Sequence, residues 1–313
     1  MRLIRSVLAL ALILLAVGAV FVFFKKTSAG RSLPSAVAKL QLGADIAQAF
    51  IAPTVEPDYL PFRDYSVPDP VIQAGAAFLI DNRTGRVLFD HNSEEQLPIA
   101  SITKLMTAVI VVERLDVKKN YVVPKQAVNV DGDGADLTAG EEISGVDLFQ
   151  SMLVPSSNDA ATVFAYTASK QFDFVEAMNS KAAEIGMRNT HFNNSTGLDD
   201  PKSYSTARDI VILASYASKY KVITDALKIQ KTTVFSVDGT KTHQLLNTNQ
   251  LLDTISNINI AKTGNTQIAG GTMVMSVKIN EKDSVTAVVL GSKDRFAEIT
   301  RLIKFARQAH TWI

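Results

Sequence analysis

The sequence predicts an α+β fold: one antiparallel sheet built from strands at both ends of the chain, with helices on its faces and a helical second lobe. Three observations predict it. The stretch "AAFLIDNRTGRVLFDHN" reads as a β-hairpin, two apolar runs around a turn that holds Asn82 and Gly85. Residues 145 to 230 are mostly helical by period. The C-terminal part returns to strands, "NINIAKTG", "GGTMVMSVKIN" and "SVTAVVLGS", before a last helix, "RFAEITRLIKFARQA". Strands at both ends close most simply into a single sheet, with the helical block set aside as its own lobe.

The elements follow in chain order. "MRLIRSVLALALILLAVGAVFVFFKK" carries Arg2 and Arg5, then an uncharged run from Val7 to Phe24, closed by Lys25 and Lys26. That run is long enough to span a bilayer, and longer than the apolar part of a secretory signal. Residues 1–26 are therefore expected to be an N-terminal signal anchor. The rival is a signal peptide cleaved after Ala29 in "TSAG". Either way the rest of the chain is expected to be exported, held at the outer side of the membrane or released beyond it. Residues 27–72 hold six of the ten prolines, Pro34, Pro53, Pro57, Pro61, Pro68 and Pro70. They read as a stalk, with "SAVAKLQLGADIAQAFI" as a short amphipathic helix inside it. Residues 73–313 are then expected to form the main folded domain. Its first helix, within "LPIASITKLMTAVIVVERL", is entered through Pro98, a residue suited to a helix start. "VDLFQSMLV", "NDAATVFAYTASKQF", "FVEAMNSKAAEIG" and "STARDIVILASYASKY" supply the helical lobe.

Composition narrows the function. The 313 residues carry a net charge of +1, which gives no basic footprint for nucleic acid. There is no cysteine, so disulfides, thiolate metal sites and cysteine nucleophiles are excluded.

Three short motifs carry chemistry. In Ser101-Ile102-Thr103-Lys104 the serine and lysine lie one helical turn apart on one face. A serine hydroxyl attacks only when a base takes its proton. A lysine is a base only when neutral, and burial among Leu105, Met106, Ala108, Val109 and Ile110 favours the neutral form. The plain alternative is a lysine that reaches the surface. The same spacing recurs at Ser218 and Lys221, which read as a solvated helix end. Ser156-Ser157-Asn158, in "MLVPSSNDAATVF", is either an interhelical loop with a helix cap or a hydroxyl and a carboxamide presented to a cleft. Lys262-Thr263-Gly264 is either a strand end or a carboxylate-binding edge, where glycine lets a substrate backbone lie close.

Together and in this order, the three are the set of penicillin-binding proteins and serine β-lactamases. "LPIASITKLMTAVIVVE", "VPSSNDAA", "NTHFNNSTGLDD", "YSTARDI", "LLNTNQLL", "AKTGNT" and "AVVLGS" narrow the resemblance, from about residue 74 to 309, to the low-molecular-weight D-alanyl-D-alanine carboxypeptidases. The resemblance implies a β-lactamase/transpeptidase-like fold and a serine hydrolase that needs no cofactor or metal. It implies that Ser101 attacks the carbonyl between two terminal D-alanines of a peptidoglycan stem peptide and that Lys104 takes its proton. Ser156 passes a proton to the leaving amine and Asn158 holds the substrate amide. Lys262 and Thr263 bind the terminal carboxylate beside Gly264, and Arg295 adds charge near it. The N–H groups of Ser101 and Asn265 form the oxyanion hole. β-Lactams are the expected covalent inhibitors. Two departures stand out. No β-rich domain or amphipathic anchor follows the last helix, so the N-terminal segment is the expected membrane tether. Asn265 falls at a position that the family varies.

Other motifs lead elsewhere. "NVDGDGADLTAGEE" nearly fits a calcium loop, but Gly140 stands where its glutamate belongs, and it reads as a polar turn. His91, His191, His243 and His310 fit no zinc or triad signature, and His191 reads as structural. Glu176 with Asn179 has the wrong spacing for the water-activating pair of class A β-lactamases. The alternatives carried forward are a D,D-endopeptidase or a β-lactamase of the same fold, and a catalytically inactive wall-binding protein.

Overall fold

Apolar strands from both ends of the chain set the architecture of the folded unit. The computed structural model describes residues 61–128 and 130–312. The apolar run of residues 7–24 and the stalk up to residue 60 lie outside the described residues. Tyr59–Ile313 make up one compact unit. Its strands are β1 (Phe62–Arg63), β2 (Ala76–Asp81), β3 (Val87–His91), β4 (Asn120–Val122), β5 (Glu142–Ser144), β6 (Lys231–Phe235), β7 (Thr242–Leu246), β8 (Ile258–Thr266), β9 (Gly270–Lys278), β10 (Ser284–Ser292) and β11 (His310–Thr311). Its helices are α1 (Thr103–Arg114), α2 (Gly145–Leu153), α3 (Asn158–Ala168), α4 (Phe174–Ile185), α5 (Ala207–Ala217), α6 (Lys221–Lys228) and α7 (Arg295–Ala309).

The main sheet has the order β3-β2-β10-β9-β8, every pair antiparallel. Val288 of β10 faces Phe78 of β2, so the two ends of the chain meet in its middle, as the sequence predicts. Successive side chains of a strand point to opposite faces. Phe78, Val274, Val288 and Leu290 accordingly join the core under α1 to α6, while Leu79, Met273, Met275, Ala287 and Val289 join the core under α7. The sheet is thus covered on both faces, which explains why β9 and β10 read as almost unbroken apolar runs.

Helix starts follow local capping chemistry. Ser144, Ser157, Asp173, Thr206 and Asp294 each accept a backbone N–H from the first turn of the helix that follows. The first helix departs from expectation. Residues Ala100–Ile102 form a 3₁₀ turn and regular α geometry begins at Thr103. The cause is Ala100, whose φ of +49° cannot continue a helical path, so Pro98 stands ahead of the turn and not at the helix start. α1 then runs through the lobe with every residue from Thr103 to Val111 buried.

Residues 61–72, assigned from the sequence to the stalk, run along the compact unit. β1 pairs with β11, Asp64 N donates to Ala309 O at 2.8 Å, and Gln73 N donates to the Glu298 carboxylate at 2.5 Å. Two small two-stranded sheets, β4–β5 and the β6–β7 hairpin, were not expected from the sequence. Among the described residues no helix is long and apolar enough to cross a membrane.

Candidate active site

The three motifs converge where the Ser101 turn, the start of α3 and β8 meet. Two glycines make the approach possible. A Cβ on Gly264 would lie 2.8 Å from Ser101 N and 2.5 Å from Thr272 Oγ1. One on Gly197 would lie 2.0 Å from Ala100 O. Thr272 Oγ1 donates to Ile99 O at 3.0 Å, fixing the same turn from the sheet side. Ser101 is held half-buried on this turn, and the 3₁₀ geometry stacks it over the residue three positions on.

That residue is Lys104, fully buried, with Nζ 2.9 Å from Ser101 Oγ. Nζ also donates to Asn158 Oδ1 at 2.6 Å and to Thr196 O at 2.8 Å. Burial, with the Lys262 charge second, pulls its pKa well below the ordinary value, against the charges of Asp133 and Asp159. A neutral amine has two N–H bonds and one lone pair. The two carbonyl oxygens take the N–H bonds, which leaves the lone pair for the Ser101 hydroxyl proton.

Asn158 is the first residue of α3, after the Ser157 cap. Its amide is fixed from outside: Nδ2 donates to Asp131 O at 2.7 Å and its backbone N to Asp133 O at 2.6 Å. Those carbonyls belong to the stretch that nearly fits a calcium loop. From residue 130 to 141 the stretch is a polar loop that walls the site. Gly132 lies so close that a Cβ there would meet Asn158 Nδ2 at 2.7 Å. The neighbouring Asp159 carboxylate pins the turn by accepting from Ala135 N and Leu137 N at 3.1 to 3.2 Å. Burial pushes that carboxyl up in pKa, against those backbone N–H bonds.

Ser156 is buried and has φ +67°. Its Oγ accepts from Lys262 Nζ at 2.8 Å. Lys262 is buried too, and Nζ also donates to Thr263 O at 2.9 Å. Burial pulls its pKa from 10.5 to about 7, with the Asp133 charge opposing and the Arg295 charge adding to the fall. Thr263 Oγ1 lies 2.6 Å from Thr248 Oγ1. Gly264 and Asn265 follow on β8, and Asn265 faces Gly271 of β9. Arg295, at the start of α7, is half-buried and stacks on Phe296 at 4.6 Å, and burial lowers its pKa. A Cβ on Gly271 would come within 3.5 Å of its stem, which places Arg295 at the same end of the site.

Ser101, Lys104, Ser156, Asn158, Lys262, Thr263 and Gly264 are thus brought together, with Asn265 and Arg295 at the rim. Sequence reasoning missed the carbonyls of Thr196, Asp131 and Asp133, the Asp159 brace and Thr248. Backbone acceptors leave no side-chain signature. Signals were available in "LLNTNQLL", which holds Thr248, in "VPSSNDAA", which holds Asp159, and in "NNSTG", where Asn194 Oδ1 accepts from Thr196 N, Thr196 Oγ1 and Gly197 N. The Glu176–Asn179 pair serves the fold instead, since Asn179 bonds the Phe192 backbone at 2.8 Å through both Oδ1 and Nδ2. His191 bonds the Lys202 carbonyl and pairs with Tyr204. Ser218, in the repeated spacing, bonds Ser215 O at a helix end.

The chain is similar to known proteins over about three quarters of its length. It is 34% identical over 243 residues to the D-alanyl-D-alanine carboxypeptidase DacF of Bacillus subtilis, a match covering 75% of this chain and 62% of that one. It is 35% identical over 240 residues to a D-alanyl-D-alanine endopeptidase of Pseudomonas aeruginosa, covering 74% and 76%. The crystal structure of the Streptomyces K15 DD-transpeptidase superposes with a TM-score of 0.72 at 27% identity, covering 76% of this chain and 98% of that one. The chain spans less than two thirds of the Bacillus relative and about three quarters of the Pseudomonas one. The family model Peptidase S11, described as D-alanyl-D-alanine carboxypeptidase, matches residues 64–294. On that match, and on a fold shared with the DD-transpeptidase, the chain belongs to the Peptidase S11 family.

Proposed function

We propose that this protein is a serine-type D-alanyl-D-alanine carboxypeptidase that trims peptidoglycan stem peptides through an acyl-enzyme on Ser101. The observation that carries the reading is Lys104: a buried amine 2.9 Å from Ser101 Oγ with its N–H bonds taken by two carbonyls. Lys104 accepts the hydroxyl proton as Oγ bonds to the carbonyl carbon. The N–H groups of Ser101 and Asn265 take the developing oxyanion, each such donor being worth about 3 kcal/mol in the transition state. Ser156 delivers a proton to the departing D-alanine nitrogen and is resupplied from Lys262, whose pKa of about 7 suits transfer near neutrality. Thr263, Lys262 and Arg295 receive the terminal carboxylate, and Asn158 holds the amide of the acyl part. Water then cleaves the ester: its oxygen bonds to the acyl carbon as the bond to Ser101 Oγ breaks, its proton passes through Ser156 to Lys262, and Lys104 returns its proton to Ser101 Oγ. No cofactor or metal enters these steps. β-Lactams, which present an amide and a carboxylate in similar array, acylate the same serine.

The Pseudomonas relative, of which the match covers 76% against 62% of the Bacillus one, favours a second reading in which the same site also cuts crosslinks as a D,D-endopeptidase. In our reading residues 1–26 tether the enzyme to the membrane, and the unit from residue 59 onward acts outside it. Incubating the full chain with a pentapeptide and with a crosslinked muropeptide tests both readings. The carboxypeptidase releases free D-alanine from the first. Release from neither, with Ser101 intact, would overturn the assignment.

A further inference from the structure

β8 ends the five-stranded sheet, and among the described residues no strand pairs with its outer edge. An extended peptide can add to such an edge through main-chain hydrogen bonds. Its direction follows from the order of residues on β8. Lys262 and Thr263 stand where the terminal carboxylate is placed, and Asn265, two residues on, carries an oxyanion N–H. A substrate lying antiparallel to β8 therefore runs its acyl part past Thr266 toward the tip of the β8–β9 hairpin.

A cavity of about 480 Å³ opens at that tip. Its walls include Ile268 of the hairpin, Pro98 ahead of the Ser101 turn, and Asp199, Asp200, Ser203 and Tyr204. The acidic segment is fastened to both sides of the catalytic centre. Asp199 accepts from Thr266 Oγ1 at 2.5 Å and from Ile268 N at 3.2 Å. Gly197, two residues earlier, lies against Ala100 and Ser101 N. The cavity wall is thus tied through Asp199 to the last residue of the substrate edge, Thr266.

Its lining has two chemistries. Asp199 and Asp200 supply carboxylates, and neither forms a salt bridge among the described residues. Asp200 accepts from Lys202 N at 2.8 Å and from Asn193 Nδ2 at 2.7 Å, and these bonds hold its carboxyl below the ordinary range. It is therefore ionised at neutral pH. Pro98, the Tyr204 ring and Ile268, 71% exposed, give apolar cover. A short alkyl chain ending in an ammonium group satisfies both halves.

We propose that this cavity receives the alkylammonium side chain of the diamino acid that precedes the two terminal D-alanines. The enzyme then prefers stem peptides whose side-chain amine is free over those in which it is acylated. This rests on the reading of β8 as the substrate edge.

The test compares two peptides on the full chain: L-Ala-γ-D-Glu-L-Lys-D-Ala-D-Ala and its Nε-acetyl form. Both are read on the same preparation, so their ratio is independent of the fraction folded. A partly exposed ion pair predicts a kcat/KM ratio of about fivefold in favour of the free amine, shrinking with added salt. Asp200→Asn should bring the ratio close to one, and Asp200→Glu should restore most of it. Equal rates on the two peptides in the unaltered chain would overturn the proposal, as would a ratio that survives Asp200→Asn. Absence of D-alanine release from both peptides would instead overturn the peptidase reading, and this proposal with it.

Discussion

Ser156 Oγ accepts a hydrogen bond from Lys262 Nζ at 2.8 Å, and it does so from a backbone φ of +67° that side chains rarely adopt. Such strain persists only where the surroundings impose it, and here both partners are buried. The pair couples the proposed proton donor to the proposed carboxylate site, so one lysine fills two roles with one charge.

That sharing predicts a pH signature. Lys262, with a pKa of about 7, loses its charge as pH rises through neutrality. A peptide with a free terminal carboxylate then loses an attraction that a C-terminally amidated peptide never had. Taking the ratio of kcat/KM for the two cancels the protonation of Lys104. The ratio should fall about tenfold between about pH 6.5 and 8.5, following the loss of the charged form. A ratio constant over that range would place Lys262 outside carboxylate binding.

The same burial costs stability. In the unfolded chain Lys262 keeps its proton up to its ordinary 10.5, while the folded protein releases it at about 7. Between those values the unfolded state binds more protons, so stability contributed by this residue rises with pH across the window. Lys262→Met removes the buried ammonium. It should raise Tm by a few degrees at about pH 6.5 and by less at about pH 9.5, read by thermal melts of both proteins at each pH. An equal shift at the two pH values would show that burial of the charge is not the cost.

Gly264 is a third point of attack. A Cβ there would press on Ser101 N at 2.8 Å and on Thr272 Oγ1 at 2.5 Å. Gly264→Ala should displace the Ser101 turn and cut acylation about a hundredfold, with a stability loss of only about 1–3 kcal/mol. Stopped-flow acylation and denaturant melts on one preparation separate the two effects. Acylation at the normal rate would mean that the close approach has no catalytic role.

The sheet was legible because its strands are short apolar runs bounded by turn residues. Phe78 and Leu79, or Met273 and Val274, point to opposite cores, so both faces are apolar and each strand stands out in the sequence as a run. The motif residues were legible because side chains of unusual chemistry, such as Lys104 and Lys262, sit inside apolar or strand-like runs. The entry to α1 was read a turn too early because the left-handed Ala100 is imposed by Gly197 and Gly264, nearly a hundred residues or more away. The walls of the site were hidden for a similar reason. Thr196, Asp131 and Asp133 contribute carbonyl oxygens, which every residue owns. The β6–β7 hairpin was missed because its outward positions, such as Phe235 and Leu246, are apolar and exposed, which blurs the alternation.

Activation of Ser101 by Lys104 underlies every step proposed above. Intact-protein mass spectrometry of the full chain after exposure to penicillin tests it most directly. The opened lactam stays tethered and blocks the approach of water, and among the described residues no glutamate bonds to Lys104 or Lys262, so its adduct should far outlast the peptide acyl-enzyme. One added drug mass is expected, mapped to the fragment holding "ASITK", absent in Ser101→Ala and slowed at least about a hundredfold in Lys104→Ala. An adduct on Ser156 or Ser218, or normal acylation without Lys104, would contradict it.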